Sequence, residues 1–321
     1  MDRPHIVFPG GEGALAALLD SAPLGDRLRA LGTLRVHTDA PDATEAVARL
    51  VDADVGLLGT HLSTAALPTL AGRTRLLAFA GTGAGSYVDL PTAAALGITV
   101  TNVTGYGDRA VAELALALLL AAARGVLDGD RGVRAGRWTG FPGTELAGAR
   151  VGVVGVGAVG RAFAGLVAAL GMRVLVCDER PVPDLASLAG DDARQVGLDE
   201  LLASSDAVSL HLPLTDATRG ILTPARLELL RPGAILVNTA RGELIARGAL
   251  AARLARGDLR AACDVFDPEP LPPDDPLLAA PHTVLTPHLG FRTPQALAAM
   301  AAGAVECVEA FCAGRPVRVL T

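Results

Sequence analysis

Three short segments in the second half of the chain end apolar runs with residues that could do chemistry. "ILVNTARGELI" carries Asn238, Thr239 and Arg241, "CDVFDPEP" carries Asp264 and Glu269, and "LTPHLG" carries His288. Each run reads as a strand, and ligands of doubly wound sheets bind beyond the carboxyl ends of strands. A guanidinium there can orient a carboxylate. An imidazole can give or take a proton near neutral pH, and a neighbouring carboxylate can fix its tautomer. A cation, an acid and a histidine on one sheet edge suit reduction of a carbonyl that stands beside a carboxylate. Singly, each has a plainer reading: Arg241 a surface ion pair, Asp264 and Glu269 turn or capping residues, Pro287-His288 a structural turn.

Carbonyl reduction needs a hydride carrier, and "VGVVGVGAVGRAFAGL" (Val151–Leu166) offers it a seat. Gly155-x-Gly157-x-x-Gly160 is weak by itself, because 37 Gly in 321 residues give (37/321)³ over about 316 starting positions, or about 0.5 matches by chance. Its context decides. A strand feeds the glycines, Ala158 to Leu170 reads as a helix, and the next strand ends at Asp178, 18 residues beyond Gly160. Gly155 permits the tight turn, Gly157 lets a pyrophosphate approach the backbone, and Gly160 lets helix pack on strand. The helix N-terminus, with Ala158 and Val159, turns N–H groups and positive potential toward phosphates. Asp178 can accept from the adenosine ribose hydroxyls and would repel a 2′-phosphate, so NAD is expected over NADP; Arg180 argues the other way.

The elements that must position these residues follow from composition and alternation. Half the residues are apolar and only 3% aromatic, a mix that suits α/β layers. Candidate strands His5–Phe8, Leu34–Thr38, Asp54–Leu58, Leu76–Ala80 and Ile98–Asn102 alternate with helical stretches such as Thr64–Leu70 and Pro91–Leu96. A long helix is expected over Asp108–Gly129, then a loop or arm in "RAGRWTGFPGTELAGAR". Six further strands follow: Val151–Gly155, Arg173–Asp178, Ala207–Leu212, Ala234–Asn238, Ala261–Val265 and Val284–Thr286. A last helix runs from Pro294 to Ala313. Strand–helix alternation implies parallel sheets covered on both faces.

Other classes are disfavoured. A net charge of −6 speaks against nucleic acid. All 28 basic residues are Arg, which excludes a Schiff-base lysine and a P-loop. Cys177, Cys263, Cys307 and Cys312 have no C-x-x-C spacing, so neither disulfides nor a metal site are expected. The N-terminus has no apolar leader, and the apolar helix Ala110–Ala123 is too short for a bilayer. A cytoplasmic protein with no membrane partner is expected.

The chain resembles the D-isomer-specific 2-hydroxyacid dehydrogenases along nearly its whole length. "AGTGAGSYVDL", "LGITVTNVTGYGDRAVAELALALLL", the glycine motif, "HLPLTDATRGIL", "LRPGAILVNTARGELI", "DVFDPEPLPPDDPLL" and "TPHLG" stand in the family's order. The resemblance implies two doubly wound parallel-sheet lobes. A flavodoxin-like substrate lobe would span 1–102 with 289–321, and a Rossmann NAD-binding lobe 103–288. It implies a 2-oxo or 2-hydroxy acid (D-isomer) as substrate, with NAD as cofactor. Arg241 would bind the substrate, and His288 would be the general acid–base. Glu269 would bond the other imidazole nitrogen and favour its charged form. Thr239 would contact the cofactor, and Asp264 would hold the nicotinamide carboxamide. The backbone N–H groups of Thr82, Gly83 and Ala84 would receive the substrate carboxylate, and His61 would contact the substrate. A homodimer is implied, through the helix near Ala110–Arg124 and an arm over Arg131–Gly143.

The sequence also departs from the family. "GTGAGSYVDL" is one residue longer than the common loop, which places specificity in doubt. Phosphoglycerate-specific members carry Arg-Ser where this chain has Gly59-Thr60, and no C-terminal regulatory domain is expected. Phosphoglycerate is therefore not the first choice, although Arg292 could bind an anion. Trp138 and Phe291 could line an apolar side-chain pocket, and His5, His37, His211 and His282 are read as structural. Two alternatives stay open: a phosphite- or phosphonate-type anion dehydrogenase, and an NAD-gated binding protein like the family's corepressors. Formate is disfavoured, because formate-oxidising relatives carry Gln where Glu269 stands.

Overall fold

The computed structural model describes residues 3–138, 140 and 142–321. Asp2, and Thr139 and Phe141 of the expected arm, lie outside the described residues. The chain divides into two compact units, Met1–Gly107 with Arg292–Thr321, and Asp108–Phe291.

The first unit holds a five-stranded parallel sheet: β1 (His5–Phe8), β2 (Thr33–Val36), β3 (Val55–Leu58), β4 (Leu76–Phe79) and β5 (Thr99–Thr101), in the order β2-β1-β3-β4-β5. The order reverses between β1 and β3, where ligands of such sheets bind. β3 and β4 are buried throughout, so both read as unbroken apolar runs rather than alternating ones. The helix Pro294–Cys312 belongs to this unit and buries Met300, Val305 and Val308. Thr293 caps its start by accepting from the Ala296 N–H at 3.1 Å, and Pro294 needs no N–H partner there. Farther along, Arg27 forks onto Glu309 at 2.9 and 2.7 Å.

The second unit holds seven parallel strands: β6 (Arg150–Val154), β7 (Arg173–Cys177), β8 (Arg194–Gln195), β9 (Ala207–Leu210), β10 (Ile235–Asn238), β11 (Arg260–Cys263) and β12 (Thr283–Leu285). Their order is β12-β11-β10-β9-β6-β7-β8. This is the doubly wound dinucleotide-binding order with one strand added at the β12 edge. The sequence suggests six of the seven. β8 is two polar, exposed residues, and apolar periodicity cannot register it.

The helix expected over Asp108–Gly129 is two helices, Asp108–Arg124 and Val126–Arg134, bent by 63°. Gly125 stands between them at φ +58°, the left-handed conformation that ends a helix at little cost for glycine. The apolar pattern runs through the break, which is why periodicity alone misses it. Ala112, Ala115, Leu119 and Ala123 of the first helix are buried against the sheet. Three of these four are alanines, and small side chains let helix and sheet approach closely.

Candidate active site

The turn after β6 is built by glycines. Gly155 sits at φ +91°, which a side chain would strain. A Cβ on Gly160 would stand 2.0 Å from the Gly155 carbonyl oxygen, so only glycine lets the helix Ala158–Ala169 start against the strand. Gly157 caps that helix in an ordinary extended conformation, φ −70° and ψ −167°. A Cβ there would meet nothing within 4 Å. The first N–H groups of the helix have no intrahelical acceptor and no capping side chain.

Asp178 follows β7 and holds the turn from its other side. Its Oδ2 accepts from the Val156 N–H at 2.7 Å and its Oδ1 from the Arg180 N–H at 3.0 Å. Partial burial pushes this carboxyl up, but those two N–H groups and the Arg180 charge outweigh it and hold it below the usual range. At the end of β10 the Thr239 hydroxyl is buried and has no hydrogen-bond partner among the described residues. An open space beside an N–H-rich helix start, an ionised acid at the next strand end and an orphaned buried hydroxyl fit NAD. Gly155, Gly157, Ala158, Val159 and Gly160 would hold its pyrophosphate, Asp178 its ribose, and Thr239 the nicotinamide end.

His211 belongs to this wall, although the sequence reading leaves it structural. Its carbonyl carbon would lie 2.8 Å from a Cβ on Gly155, and its own Cβ 3.4 Å from one on Gly160. Its ring packs on Phe163 at 4.9 Å. Nε2 lies 2.9 Å from Ser209 Oγ, while Nδ1 is buried and has no hydrogen-bond partner among the described residues. Burial pushes this imidazole down to about 3, so it is neutral. The "HLP" that follows β9 is the only signal that could have marked it.

The chemistry-bearing residues gather at the ends of β10, β11 and β12. Asn238 organises the first turn: its Nδ2 donates to the Arg241 carbonyl at 2.8 Å and its Oδ1 accepts from the Ala240 N–H at 3.1 Å. Gly242 lets this turn touch the next, because a Cβ there would lie 2.1 Å from the Phe266 carbonyl carbon. Arg241 thereby reaches the electrostatic neighbourhood of Glu269. Glu269 Oε1 accepts from the Phe266 N–H at 2.9 Å, and its Oε2 lies 2.7 Å from His288 Nδ1. Burial pushes the Glu269 carboxyl up; the hydrogen bond and charge of His288, the Phe266 N–H and the charge of Arg241 together hold it below its ordinary value.

Asp264 is buried, and both its oxygens accept from the segment that carries His288: Thr286, Leu289 and Gly290. Phe291 meets the His288 ring edge-on at 5.8 Å. Trp138 is 91% exposed.

In the first unit, the turn after β4 is held from behind. Thr82 Oγ1 donates to the Val103 carbonyl at 3.1 Å and Asn102 Nδ2 to the Thr82 carbonyl at 2.8 Å. No acceptor among the described residues takes the N–H groups of Thr82, Gly83 or Ala84. After β3, His61 stacks on Tyr87 at 4.1 Å, and Tyr87 in turn packs against Phe79 at 4.6 Å. Arg292 lies 3.6 Å from the Glu12 carboxylate.

Comparison with known proteins points to one family. The profile of the D-isomer specific 2-hydroxyacid dehydrogenase NAD-binding domain matches residues 116–290. A hydroxypyruvate reductase of Blautia hydrogenotrophica is 34% identical over 307 residues, 91% of this chain and 93% of that protein. A D-3-phosphoglycerate dehydrogenase of Mycobacterium leprae is 38% identical over 279 residues, 86% of this chain. The alignment takes in only 51% of that protein, so the chain spans about half of its length. The crystal structure of the TT0316 protein of Thermus thermophilus superposes with a TM-score of 0.85 at 35% identity, covering 99% of this chain and 100% of that one.

Proposed function

Because the chain belongs to the D-isomer specific 2-hydroxyacid dehydrogenase family, we propose that it interconverts a small 2-oxo acid and its (R)-2-hydroxy acid. NAD is the cofactor, and when bound it supplies or takes the hydride. The chain's own residues do the rest. Arg241 binds the substrate carboxylate and polarises the adjacent carbonyl oxygen. With Nδ1 engaged by Glu269, His288 uses Nε2 to give its proton to that oxygen, and takes one back in the reverse direction. Glu269 stays ionised, fixes the tautomer and stabilises the imidazolium. The N–H groups of Thr82, Gly83 and Ala84 receive the substrate carboxylate, and His61 contacts the substrate side chain.

One observation carries this reading: the 2.7 Å contact between His288 Nδ1 and a Glu269 carboxylate that stays ionised. The substrate side chain we propose is small and uncharged, as in glyoxylate or hydroxypyruvate. Gly59-Thr60 after β3 offers a phosphate no cation, and Arg292 lies beside Glu12. We further propose a cytoplasmic homodimer. The four cysteines are free thiols, and Val126 and Val133 are 55% and 57% exposed in the single chain; sedimentation as a monomer would refute the dimer.

The test is turnover with NADH in two variants. His288→Asn should abolish reduction while NADH still binds, and Arg241→Ala should raise KM steeply as well as lower kcat. Near-normal turnover in both would refute the assignment.

A further inference from the structure

His288 stands at φ +53°. A residue with a Cβ is uncommon in that region, and the surroundings must hold it there. Its own N–H donates to the Thr286 carbonyl at 3.0 Å, and a single carboxylate ties the residues on both sides of it. Thr286 Oγ1 donates to Asp264 Oδ1 at 2.6 Å, the Leu289 N–H to the same oxygen at 2.7 Å, and the Gly290 N–H to Oδ2 at 2.8 Å. The His288 N–H adds a bond to the Asp264 carbonyl at 2.9 Å. Asp264 itself is 1% exposed. Gly290 closes the arrangement, because a Cβ there would lie 3.3 Å from Asp264 Oδ2 and 3.2 Å from Val111 Cγ2. The donors stand two residues before His288 and one and two residues after it. The histidine is bracketed, and its ring is aimed at Glu269.

Two of the three donors on the carboxylate are backbone groups that any residue would supply. The third is the Thr286 hydroxyl. Its bond makes Oδ1 accept twice and turns Oδ2 toward Gly290. We propose that Thr286, acting through Asp264, is a positioning residue for His288. This rests on the reading of His288 as the acid–base group. It is separate from any role of Asp264 toward the nicotinamide, since Oδ2 accepts only once and keeps a lone pair. Among the described residues, Glu269 lies against the His288 ring, the Arg241 charge acts on that carboxylate, and the Asp264 carboxylate bonds the residues on either side of His288. Thr286 is neutral, so changing it leaves all three in place.

The test compares Thr286→Val, which keeps the shape and removes the hydroxyl, with Thr286→Ser, which keeps the hydroxyl. His288→Asn is measured alongside. Kinetics use NADH with hydroxypyruvate and with glyoxylate, NADH affinity is read by fluorescence, and the fold by melting. In the protein without cofactor, NMR reads the His288 Nδ1 proton. Small displacements of a reacting group slow turnover steeply. Thr286→Val should therefore lower kcat about ten-fold, leave NADH affinity within about two-fold, and shift the Nδ1 proton resonance. Thr286→Ser should restore all three. If the valine variant does not fold, Thr286→Ala is read in the same way. Wild-type kcat and an unmoved Nδ1 proton in Thr286→Val, beside an inactive His288→Asn, would overturn the clamp alone. Loss of NADH affinity in step with kcat, or a loss that serine does not recover, would also overturn it. An active His288→Asn would instead remove the assignment beneath it.

Discussion

Adding one methyl group at Gly157 should separate the fold from its cofactor. The backbone at Gly157 lies at φ −70° and ψ −167°, which alanine adopts freely. The new Cβ meets no protein atom within 4 Å. Two small effects oppose each other: alanine is a poorer helix N-cap than glycine, by about 1 kcal/mol, and it restricts the unfolded chain, a gain of about 0.4–1 kcal/mol. Stability should therefore change by less than about 1 kcal/mol. The cofactor should feel the methyl group fully, because the space it fills is where a pyrophosphate would approach the N–H groups. A misplaced or unbonded pyrophosphate costs at least the hydrogen bonds it loses, about 1.5–3 kcal/mol each for a charged acceptor. Two such losses predict NADH binding weaker by about 100-fold or more.

Gly160→Ala is the control. Its Cβ would lie 2.0 Å from the Gly155 oxygen, so helix and strand must part whether or not cofactor is present, at a cost of about 2 kcal/mol or more. Urea unfolding and fluorescence titration with NADH read both quantities. A Gly157→Ala protein that binds NADH like the wild type, or that unfolds like Gly160→Ala, would refute the reasoning.

Two further outcomes follow from titratable groups, one at the candidate site and one in the core. Glu269→Gln keeps an acceptor for His288 Nδ1 and loses the charge, so kcat should fall about ten-fold or more. The folded carboxyl lies below its ordinary value, so its contribution is present above about pH 4.5 and is lost only as pH falls through the lower folded value. Rates against pH should show that acid limb in the wild type and lack it in the variant; an identical limb in both would contradict the role. His211 is held at about 3 by burial, against about 6.5 when unfolded. The unfolded chain therefore takes the proton first, and stability falls as pH drops through that window, by up to about 3 kcal/mol at pH 4. Denaturant unfolding of His211→Gln should lose correspondingly less; equal losses would show that burial is not what keeps this ring neutral.

What was legible in the sequence depended on how each feature is encoded. The long apolar runs of β3, β4, β6 and β9, the glycine turn and the acid at the end of β7 are local patterns, and the structure places them as read. Arg241, Glu269 and His288 stood on three separate strand ends. Their meeting follows from the strand order, which the family resemblance implied and the alternation alone did not. The rest depended on contacts that local patterns do not carry. β8 is too short and polar to leave a period, and Gly125 interrupts a helix without interrupting its apolar stripe. Thr286 looked like the last residue of a strand until its hydroxyl was seen on Asp264 at 2.6 Å. Gly242 looked like part of a motif until its closeness to Phe266 showed how two turns reach one another. His211 had no partner pattern because its neighbours are Ser209, Phe163 and the backbone of the glycine turn.

The most direct test of the account is the initial rate of NADH oxidation at ~340 nm, the absorbance of the reduced cofactor. The panel of 2-oxo acids runs from glyoxylate through pyruvate and hydroxypyruvate to branched, aromatic and phosphorylated acids, with NADPH in parallel and the chirality of the product determined. The account predicts turnover with NADH, a preference for small uncharged side chains, and an (R)-2-hydroxy acid wherever the product is chiral. NADH that binds but is not oxidised with any of these acids, or an (S) product, would contradict it.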